Sequence, residues 1–180
     1  MILQSAFDPT TVSAIPASYR AAAAFLSSML VGGAVHYRYG NRVEAAVDAS
    51  TENLPLALLY GFFAYALAGF LVAYGFAQLA GIGLSAPVVL VVAGVVLGGF
   101  LLTLGGVGYV VVGAWITDRA GLGDQWLGLL GVSLVGAVAV LALPFPLGAV
   151  AWFAIAAAGL GGSVRRWVHA DAAQRQANHT

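Results

Sequence analysis

Read from the N-terminus, the chain alternates long apolar blocks with short polar breaks. The longest block runs from Ala86 to Thr117, APVVLVVAGVVLGGFLLTLGGVGYVVVGAWIT, and holds seven glycines and no charge. As a helix rising ~1.5 Å per residue it would extend ~48 Å, well beyond the ~30 Å of hydrocarbon in a bilayer. Such a helix is expected to tilt strongly, to project into water or to bend, and Gly105, Gly106 and Gly108 mark the place for a bend. Continuous Ala/Val/Leu/Gly blocks exclude a transmembrane barrel, whose strands would read as ~10-residue alternating segments.

The other blocks read as further spans. The first, Tyr19 to about His36, is the least hydrophobic, because Ser27, Ser28, Gly32 and Gly33 dilute it, and Arg20 stands at its mouth. In the segment YRYGNRVEAAVDASTENLP that follows, Val43 and Val47 lie four apart among Arg42, Glu44 and Asp48. That pattern suits a short helix lying on the membrane surface, with a solvated connecting loop as the plain alternative. A second span covers about Asn53–Ala80, with Pro55 in its first turn, where the missing N–H costs nothing. Its Ala57, Gly61, Gly69, Ala73 and Ala77 form a small-residue stripe that lets helix backbones approach closely. Gly81 to Ser85 makes an uncharged turn, Pro87 opens the long block, and Gly94 and Gly98 within it form a GxxxG pair.

Thr117–Asp124 reads as a polar loop. Trp126–Leu143 is a fourth span, stopped by Pro144-Phe145-Pro146, and Leu147–Ser163 is a fifth, with Ala154, Ala158 and Gly162 on its small-residue face. The pattern therefore predicts an all-α, polytopic integral membrane protein of about five transmembrane helices, with a short interfacial helix after the first. An extracytoplasmic tail of residues 1–18 is expected before a transmembrane domain of residues 19–168, and a polar, frayed cytoplasmic tail of residues 169–180 after it. The start of the chain has no basic residue before an apolar core, so a cleaved signal peptide is not expected.

Composition sharpens this picture. Charged residues make up 8% of the chain and hydrophobic ones 61%, against about a quarter charged in soluble globular proteins. The formal net charge is zero, and nothing in it invites nucleic acid. No cysteine is present, which rules out disulfides, thiolate catalysis and Cys-ligated metal centres. The basic residues are all arginine, and their placement sets an orientation. Arg38, Arg42, Arg119, Arg165, Arg166 and Arg175 fall on one side of a five-span layout and only Arg20 on the other. Because arginine is retained on the cytoplasmic side, the N-terminus is expected outside the cell membrane and the C-terminus in the cytoplasm. Tyr37, Tyr39, Trp115, Trp126 and Trp167 fall at that same boundary, as interfacial aromatics do.

Candidate chemistry is sparse. No ionisable side chain other than tyrosine falls inside spans two to five, and His36 at the end of the first is the single candidate for a proton or metal role. His169 and His179 lack metal-ligand spacing. Ser133 has no histidine or lysine in another span to serve as its base. Asp118 and Asp124 sit in a loop beside Arg119, and Gly106-Val107-Gly108 lacks the third glycine of a dinucleotide fingerprint. Tyr60, Tyr65, Tyr74, Gln78 and Thr103 are polar enough to line a pore or to hydrogen-bond between helices. No catalytic residue, cofactor site or metal site is expected. The residues singled out are Gly61, Gly69, Gly94, Gly98, Gly105, Gly106, Ala158 and Gly162 for helix packing, and Arg38, Arg42, Arg119, Arg165 and Arg166 for a cytosolic face.

The order of features carries a resemblance. A glycine-bearing first span is followed by RVEAAVDASTENLPLALLYG, by the turn GIGLSAPVVLV, by GYVVVGAWITDRAG at the far end of the long helix, and by the hairpin LPFPLGAVAWFAIAAAGLGG. Over roughly residues 20–164 this resembles the small polytopic membrane domain that occurs with bactofilin-type polymer-forming proteins of bacteria and archaea. The resemblance implies a membrane anchor or partner for a cytosolic β-helical filament, with no enzymatic residues to carry over. The sequence departs from the fused arrangement by holding no β-helical repeat, so the polymer would be a separate protein. Its first cytosolic segment is also unusually acidic, with Glu44, Asp48 and Glu52. The expectation is thus a non-enzymatic scaffold or anchor whose partners are membrane lipids, a cytosolic polymer-forming protein and further copies of itself. A small oligomeric transporter or channel is the alternative, suggested by a broken, glycine-rich third helix.

Overall fold

The computed structural model describes residues 13–51, 53–81 and 86–177, and within them the side chains other than those of residues 41–45, 49, 51, 79–81, 86, 87, 89, 90 and 166–177. Five long helices follow one another among the described residues: α1 Ala17–Thr51, α2 Leu54–Gly81, α3 Ala86–Ala120, α4 Gln125–Ala142 and α5 Phe145–Ala177. No strand occurs among the described residues. Among the described residues, four helices hold a stretch long and apolar enough to cross a membrane, namely Leu54–Gln78, Val91–Ala120, Gln125–Ala142 and Phe145–Arg165. The chain is therefore an all-helical, multi-pass membrane protein.

Local chemistry sets the helix ends. Asn53 caps α2, its Oδ1 accepting from the Leu56 N–H at 3.3 Å, and Pro55 occupies the first turn. The α3–α4 connection is shorter than the polar loop expected there, because α3 continues to Ala120. Gly121, at φ 65°, then lets the Gly121 and Leu122 N–H groups bond back to the Asp118 and Thr117 carbonyls. Glycine reaches that left-handed conformation without a Cβ penalty. Asp124 caps α4 by accepting from the Trp126 N–H at 2.9 Å.

Three further stretches differ in extent from the pattern's expectation. The segment after the first span is joined to it as one helix, interrupted at Tyr39 (φ −131°, ψ 20°), and its Val47 and Ser50 are buried against the bundle. The Pro144-Phe145-Pro146 break is narrower than expected, since α5 already begins at Phe145; Pro146 falls in its first turn, where proline is tolerated. At the other end α5 runs on to Ala177, through the stretch read as a frayed tail, because ADAAQRQA is built mostly of good helix formers. Residues 1–12 of the expected N-terminal tail and 82–85 of the uncharged turn lie outside the described residues.

The bundle is inside-out by the standard of a soluble protein. Its buried positions are held largely by Ala, Gly, Ser and Thr with a few larger side chains, among them Ala57, Ala156, Ala157, Ser28, Thr117, Tyr109 and Leu129. Leu30, Phe63, Phe70, Val91 and Val95 stand 64–71% exposed. With lipid as solvent, large apolar groups gain nothing by burial, and close packing of small residues is what holds helices together.

Helix α2 packs chiefly on α5, and α1 packs on α3 and α4, with α3 touching all the others. The crossings of α2 on α5 and of α1, α4 and α5 on α3 are made where glycine lets backbones meet, whereas Gly32 and Gly33 of α1 face the Leu129 and Trp126 side chains of α4. A Cβ on Gly61 would overlap the Ala157 carbonyl, and one on Gly161 the Ala57 carbonyl. Gly108 meets Ala156, Gly159 meets Gly108, and Gly113 meets Gly128 in the same way. A Cβ on Gly106 would stand 2.7 Å from Val31 Cγ1 and 2.9 Å from the Gly32 nitrogen. Gly105, Gly106 and Gly108 therefore do not break α3, which is one unbroken helix. They are the surface on which α1 and α5 rest.

Candidate functional site

Two places gather several polar side chains of different helices. The first is the middle of the bundle. There the Trp152 indole of α5 donates to Ser28 Oγ of α1 at 3.1 Å. The Tyr109 ring lies 5.5 Å from Trp152, with its hydroxyl over Gly136 of α4 and close to Ser28, though without the geometry of a hydrogen bond. Trp152 also meets Phe153 edge-on at 5.1 Å, and Phe153 meets Tyr65 of α2 at 5.4 Å. The hydroxyls of Tyr65, Tyr109 and Ser133 are buried without a hydrogen-bond partner. Each leaves a desolvated donor unsatisfied, at a cost of about 1–3 kcal/mol. What the cluster does chemically is hold α1 to α5 through one hydrogen bond inside an aromatic row.

The second place is the end of the bundle where α1 bends. The His36 ring stands edge-on to Trp126 at 4.9 Å, which sets the end of the first α1 segment beside the start of α4. The guanidinium groups of Arg38 and Arg119 lie 5.6 Å and 6.0 Å over Tyr39 and Trp115, a cation–π arrangement that keeps the charge at the rim. Beyond the bend, Ser50 Oγ donates to the Gly159 carbonyl of α5 at 3.0 Å, pinning the second α1 segment to the bundle. An apolar cavity of about 260 Å³ remains beside that contact, walled by Leu54, Val111, Trp115, Ile155 and Ala158.

The sequence-derived residues divide accordingly. Gly61, Gly105 and Gly106 sit at helix crossings, and Gly162 is buried. Ala158 is half-buried and faces the cavity, while its neighbours Ala156, Ala157, Gly159 and Gly161 make the close approaches. Gly69, Gly94 and Gly98 have open space where a Cβ would be. Arg38, Arg119 and Arg165 gather toward one end of the bundle, opposite Arg20, and Arg165 is half-buried. The side chains of Arg42 and Arg166 lie outside those described. Thr103 bonds back to the Gly99 carbonyl of its own helix at 2.7 Å, and Tyr74 stacks on Phe70 at the surface. No group of three or more His, Cys, Asp or Glu capable of holding a metal occurs among the described residues.

Sequence reasoning missed Trp152 and Tyr109, and treated Ser28 only as a dilution of its span. One signal was present: the other three tryptophans fall at span ends, whereas Trp152 falls inside a span. No family model matches the chain, and no curated protein or solved structure does either.

Proposed function

We propose that this chain is a non-enzymatic integral membrane scaffold or anchor that crosses the bilayer five times and presents its arginine-bearing end to a cytosolic partner. The observation that carries the reading is the construction of the interior. Helices α1, α2, α4 and α5 are locked to one another or to α3 at crossings where backbone meets backbone. Such a bundle holds its helix ends in fixed positions, which is what an anchor requires.

The fifth crossing is assigned to α1. Its small and polar residues Ser28, Gly32 and Gly33 turn inward, while Tyr19, Leu26 and Leu30 are 55–71% exposed. Average hydropathy therefore understates how apolar its outer face is, since the polar residues are spent on packing. The kinked second segment of α1 serves as the interfacial helix, closing the cytosolic end through Val47 and Ser50. The arginine asymmetry supports an N-terminus outside and a C-terminus in the cytoplasm. The resemblance to membrane domains of bactofilin-type systems supplies the partner class, a separate polymer-forming cytosolic protein. The alternative of a transporter or channel was suggested by a broken third helix, and α3 is unbroken.

Two experiments test this. In a cysteine-free chain, Gln174→Cys should be modified by an impermeant thiol reagent only after the membrane is opened; labelling in intact cells overturns the orientation. Truncation after Arg165 combined with Arg38→Gln and Arg119→Gln should release the partner from native membranes while the bundle remains inserted. A partner that still sediments and co-purifies with this variant rules out the anchoring role.

A further inference from the structure

Arg20 is the one basic residue at the end of the bundle formed by the α4–α5 turn. It is the fourth residue of α1, half-buried, with its guanidinium 5.1 Å over the ring of Phe145, the first residue of α5. Its Nε and Nη1 are buried and make no hydrogen bond among the described residues. Neither α1 nor α5 carries an acidic residue in its first turn. A helix N-terminus is itself the positive end of the peptide dipoles, and a cation is ordinarily placed at the other end. Here a guanidinium near the start of α1 meets the first residue of α5, with no negative group among the described residues. The aromatic face satisfies only part of the charge, and a desolvated cation without a counter-charge is costly.

Depth identifies what would supply the counter-charge. Helix α4 has 18 residues, or ~27 Å, slightly less than the ~30 Å hydrocarbon core. The α4–α5 turn and Arg20 therefore lie about one hydrocarbon-core thickness from the Asp124 end of α4, where lipid glycerol and phosphate groups come within reach. The exposed Leu143 and Leu147 beside the turn suit acyl chains rather than water. We infer that Arg20, backed by Phe145 and the N-termini of α1 and α5, binds a phosphate oxyanion at the membrane boundary. The same chemistry is offered by a phospholipid headgroup and by soluble phosphate. Arginine suits either, since its planar fork meets two oxygens of one phosphate. The inference does not depend on which partner the opposite end holds.

The test uses the full-length protein in nanodiscs of phosphatidylcholine with added phosphatidylglycerol, read by native mass spectrometry for retained lipid. Wild type is expected to keep one phospholipid per chain, Arg20→Gln to lose it at least tenfold more readily, and Arg20→Lys to fall between. Phe145→Leu, which keeps the apolar bulk but removes the ring, should weaken retention about threefold and serves if Arg20→Gln does not insert. A parallel arm titrates inorganic phosphate into detergent-solubilised protein by ³¹P NMR. Arg20-dependent lipid retention identifies the headgroup as the source, and Arg20-dependent line broadening without it identifies the soluble anion. If correctly folded Arg20→Gln, Arg20→Lys and Phe145→Leu all match wild type in both arms, the site does not exist.

Discussion

The two halves of α3 carry the same kind of sequence and live in different surroundings. From Gly105 to Gly113, the glycines Gly105, Gly106, Gly108 and Gly113 each have another helix where a Cβ would be. From Gly94 to Gly99, the glycines Gly94, Gly98 and Gly99 have nothing within 4 Å, and the valines around them, Val91 and Val95, are 67% and 70% exposed. Helix α2 repeats the contrast, with Gly61 pressed on α5 and Gly69 open. A small-residue spacing thus records that close approach is permitted. Whether an approach occurs is decided by which helices reach that level, and α4 and α5 turn back at Pro144 before reaching the first part of α3.

Substitutions can break or sharpen this comparison. The largest effect is expected at the closed crossings. Gly108→Val or Gly161→Val forces side-chain atoms onto a neighbouring carbonyl and should lower stability by about 3 kcal/mol, as overpacking of a tight core does. The measurement is reversible unfolding in mixed micelles followed by tryptophan fluorescence. Next in size, Trp152→Phe removes the indole donor to Ser28, and Ser50→Ala removes the bond to Gly159. Each should cost about 0.6–1 kcal/mol, at or a little above the average for hydrogen bonds between helices in lipid. The open half should respond weakly, with Gly98→Val changing stability by less than about 0.5 kcal/mol. A loss at Gly98 as large as that at Gly108 would show that both halves are packed and would end the comparison. Smallest of all is the expected effect of Tyr109→Phe and Ser133→Ala, which delete hydroxyls without a well-formed hydrogen bond among the described residues. Both should be neutral or slightly stabilising, since an unsatisfied buried donor is removed. A loss above 1 kcal/mol in either would reveal a partner for that hydroxyl.

Much of the fold was legible because the signal is compositional. The apolar blocks, Pro55 at the start of α2, Asp124 before α4 and the prolines near Pro144 mark helix ends through local chemistry that needs no neighbour. The faces of the helices were far less legible. Helices α2 to α5 are apolar almost all round, so no polar stripe separates an inner from an outer side. In α5 the small residues are so frequent that Ala154, Ala158 and Gly162 looked as good as Ala157 and Gly161, which make the contact with α2. In α1 the polar residues Ser27 and Ser28 read as dilution, although Ser28 is an inward-facing hydrogen-bond acceptor.

By itself the sequence determined that the chain is a bundle of long apolar helices with its arginines concentrated at one end. Both follow from local terms: the transfer free energy of each block and the charge of each break. Tertiary structure alone decided which glycines touch, that α1 bends at Tyr39 to bring Ser50 onto α5, and that Trp152 and Tyr109 occupy the interior. Those outcomes depend on helix crossing points and on the shortness of α4. In a solvent as apolar as the helices themselves, packing geometry rather than hydrophobicity selects the inner face.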